Sequence, residues 1–244
     1  MIPGPHEKTA LRLGVIFVIW GILWSFDPID RKDWLLENVL SLLALIMLVL
    51  TARRFPLSRF SYFLIFIFLC LHEVGSHYTY ALVPYNEWSE AILGRSINSI
   101  FGFERNHYDR LVHFSYGLLL AYPIRELFYR VADVKGFWGY FLPLDITMST
   151  SMLYELIEWG AAVLFGGELG AAYLGTQGDV WDAHKDMGLA SLGALTAMII
   201  TGLINWRVQR DFTQEFLASL KVKDRRPLGE DEIKRLIKEK RKEE

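Results

Sequence analysis

Residues 60–80 read FSYFLIFIFLCLHEVGSHYTY. The first half of this stretch, through Leu71, is apolar on every side of a helix. About 20 mostly apolar residues match the hydrocarbon thickness of a bilayer. The second half breaks the pattern with His72, Glu73 and His77. Ionisable groups inside a spanning segment are costly and mark a functional position by default. The stretch therefore predicts a membrane helix that carries a polar site near one end.

Reading outward, similar stretches occur at 9–26, 34–51, 108–128, 143–165 and 181–206. The expected fold is all-α: an integral membrane protein with six transmembrane helices. The first stretch is read as a retained helix, because Phe26-Asp27-Pro28 follows it and no small-residue cleavage site does. Trp20, Trp24, Trp34, Trp138, Trp159, Trp181 and Trp206 fall near span ends, as interfacial anchors do. The charged residues are unevenly placed. Residues 207–244 carry 12 basic and 9 acidic side chains, whereas residues 1–206 have a net charge of −5. This divides the chain into a six-helix transmembrane domain, 1–206, and a charged helical cytoplasmic tail, 207–244. The single Cys70 excludes an intrachain disulfide framework. A net charge of −2 gives no reason to expect nucleic acid.

Lys and Arg placement sets the expected orientation. Lys8, Arg12, Arg53, Arg54, Arg59, Arg125, Arg130, Lys135 and the tail fall on one side; Arg31, Lys32, Arg95 and Arg105 fall on the other. The bias puts both termini in the cytoplasm. Residues 81–107 read as an amphipathic segment on the outer surface. In the tail, Phe212, Phe216, Leu217 and Leu220 form one apolar face, as do Ile233, Leu236 and Ile237 after a break at 227–229. These amphipathic helices suit the membrane surface or a protein partner.

With that orientation, polar residues from four spans reach one depth in the extracytoplasmic leaflet. They are His72, Glu73 and His77, then His107, Asp109, Arg110 and His113, then Glu155 and Glu158, then Asp179, Asp182, His184, Lys185 and Asp186. Glu73/His77, Asp109/His113, Glu155/Glu158 and Asp182/Asp186 each share a helix face. Such pairs on facing helices are how bundles build metal sites. The site is thus expected within residues 60–206. Its candidate metal ligands are His77, His113, Glu73, Asp182 and Asp186; Glu155, Glu158 and Asp109 are candidate catalytic groups. Arg110, His107 and Lys185 would bind substrate. Mixed imidazole and oxygen ligands favour Zn, Mn or Fe.

The excess of acids has other readings: a metal-free pocket with proton-sharing acids, or a structural network with a solvated rim. His72 lies five residues from His77 and does not share its face. The string HEVGSH at 72–77 is one residue too long for a zinc-protease motif.

The strings LHEVGSHY at 71–78, NHYDRLVHF at 106–114, YELIEW at 154–159 and GTQGDVWDAHKDM at 175–187 resemble the YjdF family, bacterial inner-membrane proteins of unknown function. A weaker likeness is to VanZ-like membrane proteins, through Asp109-Arg110-Leu111-Val112-His113-Phe114, a mid-span Glu and Asp182 to Asp186. The likeness departs at Arg110 and Asp186. These resemblances imply a multi-pass protein of the bacterial inner membrane with envelope-linked work, and no particular reaction. The sequence leaves open a metal-dependent enzyme acting on a lipid-linked or other envelope small molecule, an ion- or proton-coupled transporter, and a structural or signalling protein. Partners are accordingly the lipid bilayer, such a substrate, and a protein docked on the tail.

Overall fold

The computed structural model describes residues 4–165, 167, 176–223 and 229–243. Among them every regular element is a helix: α1 (Pro5–Trp24), α2 (Arg31–Thr51), α3 (Arg59–His77), α4 (Tyr85–Leu93), α5 (Ile97–Phe101), α6 (Tyr108–Val131), α7 (Trp138–Phe165), α8 (Asp182–Val208), α9 (Phe212–Ser219) and α10 (Glu230–Glu243). Most of the expected loop 166–180, and Pro227 and Leu228 of the expected tail break, lie outside the described residues.

Local chemistry fixes several helix ends. Asp30 caps α2 by accepting bonds from the backbone N–H groups of Lys32 and Asp33, and Ser58 caps α3 through Ser61. Left-handed Gly94 and Gly102 end α4 and α5, so the amphipathic segment at 81–107 becomes two short helices. Glu126 on α6 accepts from Ser58 N at 2.8 Å, Ser61 Oγ at 2.6 Å and Arg130 Nη1 at 2.8 Å, tying the start of α3 to the end of α6.

α6 is central. It packs on α3, α7 and α8, while α1 and α2 rest on α3. The α6–α8 contact brings backbones together. A Cβ at Gly117 would overlap the Ala190 carbonyl oxygen, and one at Gly193 the Phe114 carbonyl oxygen. Ala121, Ala190 and Ala194 are fully buried along the same seam. Small residues at a helix crossing allow the close van der Waals packing on which helix association in lipid depends.

The burial pattern is inverted relative to a water-soluble bundle. Leu42, Val49, Leu50, Leu156, Val163 and Leu203 are exposed, whereas Asp33, Glu37, Glu73, Asp182 and Asp186 are buried. An apolar exterior around ionisable residues suits a lipid environment. Among the described residues, 3 helices are long and apolar enough to cross a membrane: α2, α3 and α8. α1, α6 and α7 form on the other expected stretches, but their apolar runs are interrupted by charged or acidic residues, including Arg12, Arg125 and Glu155.

The first tail helix is tied to the body. Glu215 Oε1 accepts from Gly136 N at 3.1 Å, Ser219 Oγ from Phe137 N at 2.9 Å, and Trp138 Nε1 donates to the Ser219 carbonyl at 3.0 Å. Phe216 packs edge-on against Phe137. In α10, Ile233, Leu236 and Ile237 stay exposed.

Candidate metal centre and its rim

The polar residues separate into three groups. The inner group lies where α2, α3, α6, α7 and α8 face one another. Its centre is the Asp109/His113 pair on α6, with His113 Nε2 3.4 Å from Asp109 Oδ1 and 3.7 Å from Glu155 Oε1. Asp186 on α8 joins them. Ligand atoms of Asp109, His113 and Asp186 all lie within 4.8 Å of one another. Glu155 Oε1 and Asp186 Oδ1 are buried with no hydrogen-bond partner. Glu158 lies within electrostatic reach of Glu155, Glu37 and Asp109.

This group includes residues that the reading of the sequence passed over. Glu37 on α2 accepts from Tyr154 Oη at 2.9 Å. Asp33, one turn earlier, is buried with Oδ1 unpartnered. Their i, i+4 spacing at the start of the second apolar stretch is the same signal that marked the other helices. His72, among the polar residues expected in the third stretch, joins this group rather than the face of His77. Its Nδ1 and the Tyr80 hydroxyl share a 2.5 Å hydrogen bond, and its Nε2 is buried without a partner. Gly75 makes this bond possible, because a Cβ there would overlap the Tyr80 ring.

His72, Tyr80, Asp109, His113, Tyr154 and Glu158, together with Ser41, Tyr116, Thr150 and Ser151, supply the polar lining of a cavity of about 340 Å³. Leu40, Ala44, Phe68, Leu120, Leu153 and Ile157 are among its apolar lining residues. That volume falls in the range of small-molecule sites, and an apolar wall with a few convergent polar groups is their usual composition.

The rim group is ion-paired. Arg110 Nη2 lies 2.6 Å from Asp179 Oδ2 and 3.2 Å from Asp182 Oδ1, and Arg105 Nη2 lies 2.8 Å from Asp182 Oδ1. Lys185 also binds Asp179. Hydrogen bonds from Lys185, the Trp181 backbone N–H and Arg110 hold the Asp179 carboxyl down at about 2. His107 stacks on Phe103 with ring centroids 4.0 Å apart. Partial burial, then the positive charges of Arg110, Arg105 and Lys185, hold its imidazole below its ordinary value. Asp182 is thus ion-paired rather than grouped with Asp186, and Arg105 is a rim cation that spacing did not reveal.

The third group faces the other way. His77 Nδ1 meets the Trp24 carbonyl oxygen at 2.8 Å, and its ring packs on Trp24 and Tyr78. The Glu73 carboxyl lies against Gly21 of α1. Glu73 and His77 share a face, but it is the α1 face of α3. His72, some 140° round the helix from His77, takes the inward position.

Buried carboxylates inside an apolar-surfaced helical bundle define a polytopic membrane protein. The sequence profile described as predicted membrane protein (DUF2238) matches residues 9–207, and the chain belongs to this family. It is 38% identical over 207 residues to the inner membrane protein YjdF of Escherichia coli (strain K12), covering 84% of this chain and 93% of that protein. The inner membrane is accordingly its location. The family match ends where the charged tail begins. No solved structure matches the chain.

Proposed function

We propose that the chain crosses the inner membrane six times with both termini cytoplasmic, and that its inner polar group is a metal-dependent catalytic site in the extracytoplasmic leaflet. The Lys and Arg asymmetry supports the orientation. The observation that carries the site is the meeting of Asp109, His113 and Asp186 ligand atoms within 4.8 Å. Glu155 stands beside them with an unpartnered oxygen. The nearby arginines are engaged at the rim by Asp179 and Asp182, so the inner carboxylates lack a fixed cation. Carboxylates this close and this buried require a cation or protons. Imidazole with carboxylates suits Zn, Mn or Fe.

Bound there, a divalent metal would supply Lewis acidity and acidify a bound water. The protein contributes the remaining roles. Glu155 accepts the proton of the attacking group, and Glu158 relays it towards Glu37 and Tyr154. Arg110, Lys185 and His107 stand at the adjacent rim, where the cations Arg105, Arg110 and Lys185 outnumber the carboxylates Asp179 and Asp182 and an anionic group is favoured. The cavity's apolar lining holds the hydrophobic part of a lipid-linked substrate. Elemental analysis of the purified protein tests this reading. A stoichiometric Zn, Mn or Fe is expected, and His113→Ala and Asp186→Asn should each remove it. Metal-free wild-type protein from metal-replete cells would overturn it.

A further inference from the structure

Away from this site, α1 and α2 both rest on α3 and leave a groove between them. Near the C-terminal end of α3 the groove has a volume of about 500 Å³, with Glu73, Gly21, Ser25, Trp34, Asn38 and Ser41 among its lining residues. It continues between the same helices as an apolar trough of about 590 Å³, lined by Gly14, Leu48, Val49 and Phe66. Phe17, Val18 and Leu45 line both parts and join them.

The upper end carries an unmet polar demand. Glu73 is 4% exposed and its Oε2 has no hydrogen-bond partner; Trp34 Nε1 is likewise buried and unpartnered. The Asn38 side-chain amide is already engaged, donating to the Trp34 carbonyl at 2.9 Å and to Ser76 Oγ at 3.2 Å. A Cβ built on Gly21 would lie 3.9 Å from the Glu73 carboxyl, so glycine leaves this side of the groove clear. Among the described residues Glu73 falls in no group able to chelate a metal. A buried carboxylate needs a cation or donor, and a buried indole N–H needs an acceptor. The trough below needs an apolar chain.

We infer that the α1–α2 groove binds an amine-headed phospholipid of the surrounding bilayer. The lipid ammonium meets Glu73, a phosphate or ester oxygen accepts from Trp34 Nε1, and an acyl chain fills the trough. Charge complementarity selects this lipid over anionic ones, and the groove fills directly from the membrane.

The test is lipid retention by the full-length protein in mild detergent, read by native mass spectrometry. Phosphatidylethanolamine is compared with its N-acylated form, which has no ammonium, and with phosphatidylglycerol. The unmodified amine lipid should be retained about tenfold better than either, the size of one charge-assisted hydrogen bond. Glu73→Gln should abolish the preference, and Trp34→Phe should weaken retention. Gly21→Leu, which fills the groove and leaves both polar groups in place, should remove bound lipid. Equal retention of the three lipids by wild-type protein overturns the inference, as does an unchanged preference in Glu73→Gln. A dimer whose interface excludes lipid from the groove also overturns it. If Glu73→Gln does not fold, the amine-capped comparison on wild-type protein decides.

Discussion

Tyr154 on α7 donates its hydroxyl to Glu37 Oε2 on α2 at 2.9 Å. This bond ties α2, which otherwise rests mainly on α3, to the helices of the candidate metal centre. It also places an acid from the second apolar stretch beside Glu158. Removing one partner of a buried hydrogen bond leaves the other with its full desolvation cost, about 1–3 kcal/mol. Tyr154→Phe should therefore lower stability by about that amount. Glu37→Gln, which keeps an acceptor, should cost less. Denaturant unfolding in detergent micelles checks both, and equal losses would remove the argument for this bond.

The α6–α8 seam gives a second expectation. Gly117 and Gly193 each stand where an added methyl would overlap backbone of the facing helix, and backbone does not yield as a flexible side chain does. Overpacking at such a site costs about 1–3 kcal/mol. Gly117→Ala and Gly193→Ala should each destabilise by at least that much, and the pair should not be additive because both push on one contact. Gly188→Ala, which meets nothing within 4 Å, is the control and should be near neutral. Thermal unfolding of the three variants separates the cases.

These two relationships also mark how far the sequence could be read. The helical class and the places of the long helices follow from apolar length, and the family follows from the motif strings. The inward face of each helix does not. In α3 the apolar run surrounds the helix, so periodicity cannot choose between the face with Glu73 and His77 and the face with His72. Packing against α6 makes that choice through Tyr80, held close by Gly75. The rim pairs join residues far apart in the chain, Arg110 with Asp179 and Arg105 with Asp182, and no local spacing encodes them. Asp33 and Glu37 were legible in principle, as an i, i+4 pair of acids at the start of an apolar stretch. Their place at a helix N-terminus also fits the ordinary preference for acids there, and this hid the signal.

The metal-ligand set can be tested by subtraction. His113, Asp109 and Asp186 meet, whereas Glu73 and His77 face α1 and Asp182 is held by arginines. His113→Ala, Asp109→Asn and Asp186→Asn should each lower metal content to background. His77→Ala and Glu73→Gln should leave it unchanged. Glu155→Gln should weaken affinity about 10- to 100-fold if that residue supports the ligands rather than binding directly. Elemental analysis after dialysis against a weak chelator reads all six. Loss of metal in His77→Ala would favour the ligand set read from helix spacing.

The rim gives a pH dependence with a definite sign. Hydrogen bonds from Lys185, the Trp181 N–H and Arg110 lower the Asp179 carboxyl from 3.8 to about 2. A carboxylate lowered on folding contributes stability that is fully present above its unfolded value and lost as pH falls through the folded one. The contribution from Asp179 should thus be intact above 3.8 and disappear near 2. Backbone hydrogen exchange over residues 179–185 should remain slow down to that lower window and then accelerate. Asp179→Asn, which cannot ionise, should remove this acid step and leave the chain between Trp181 and Lys185 less protected at neutral pH. A carboxyl titration of Asp179 in detergent with a midpoint near 3.8 would mean that Lys185 and Arg110 do not hold it, and the rim would then be open to solvent.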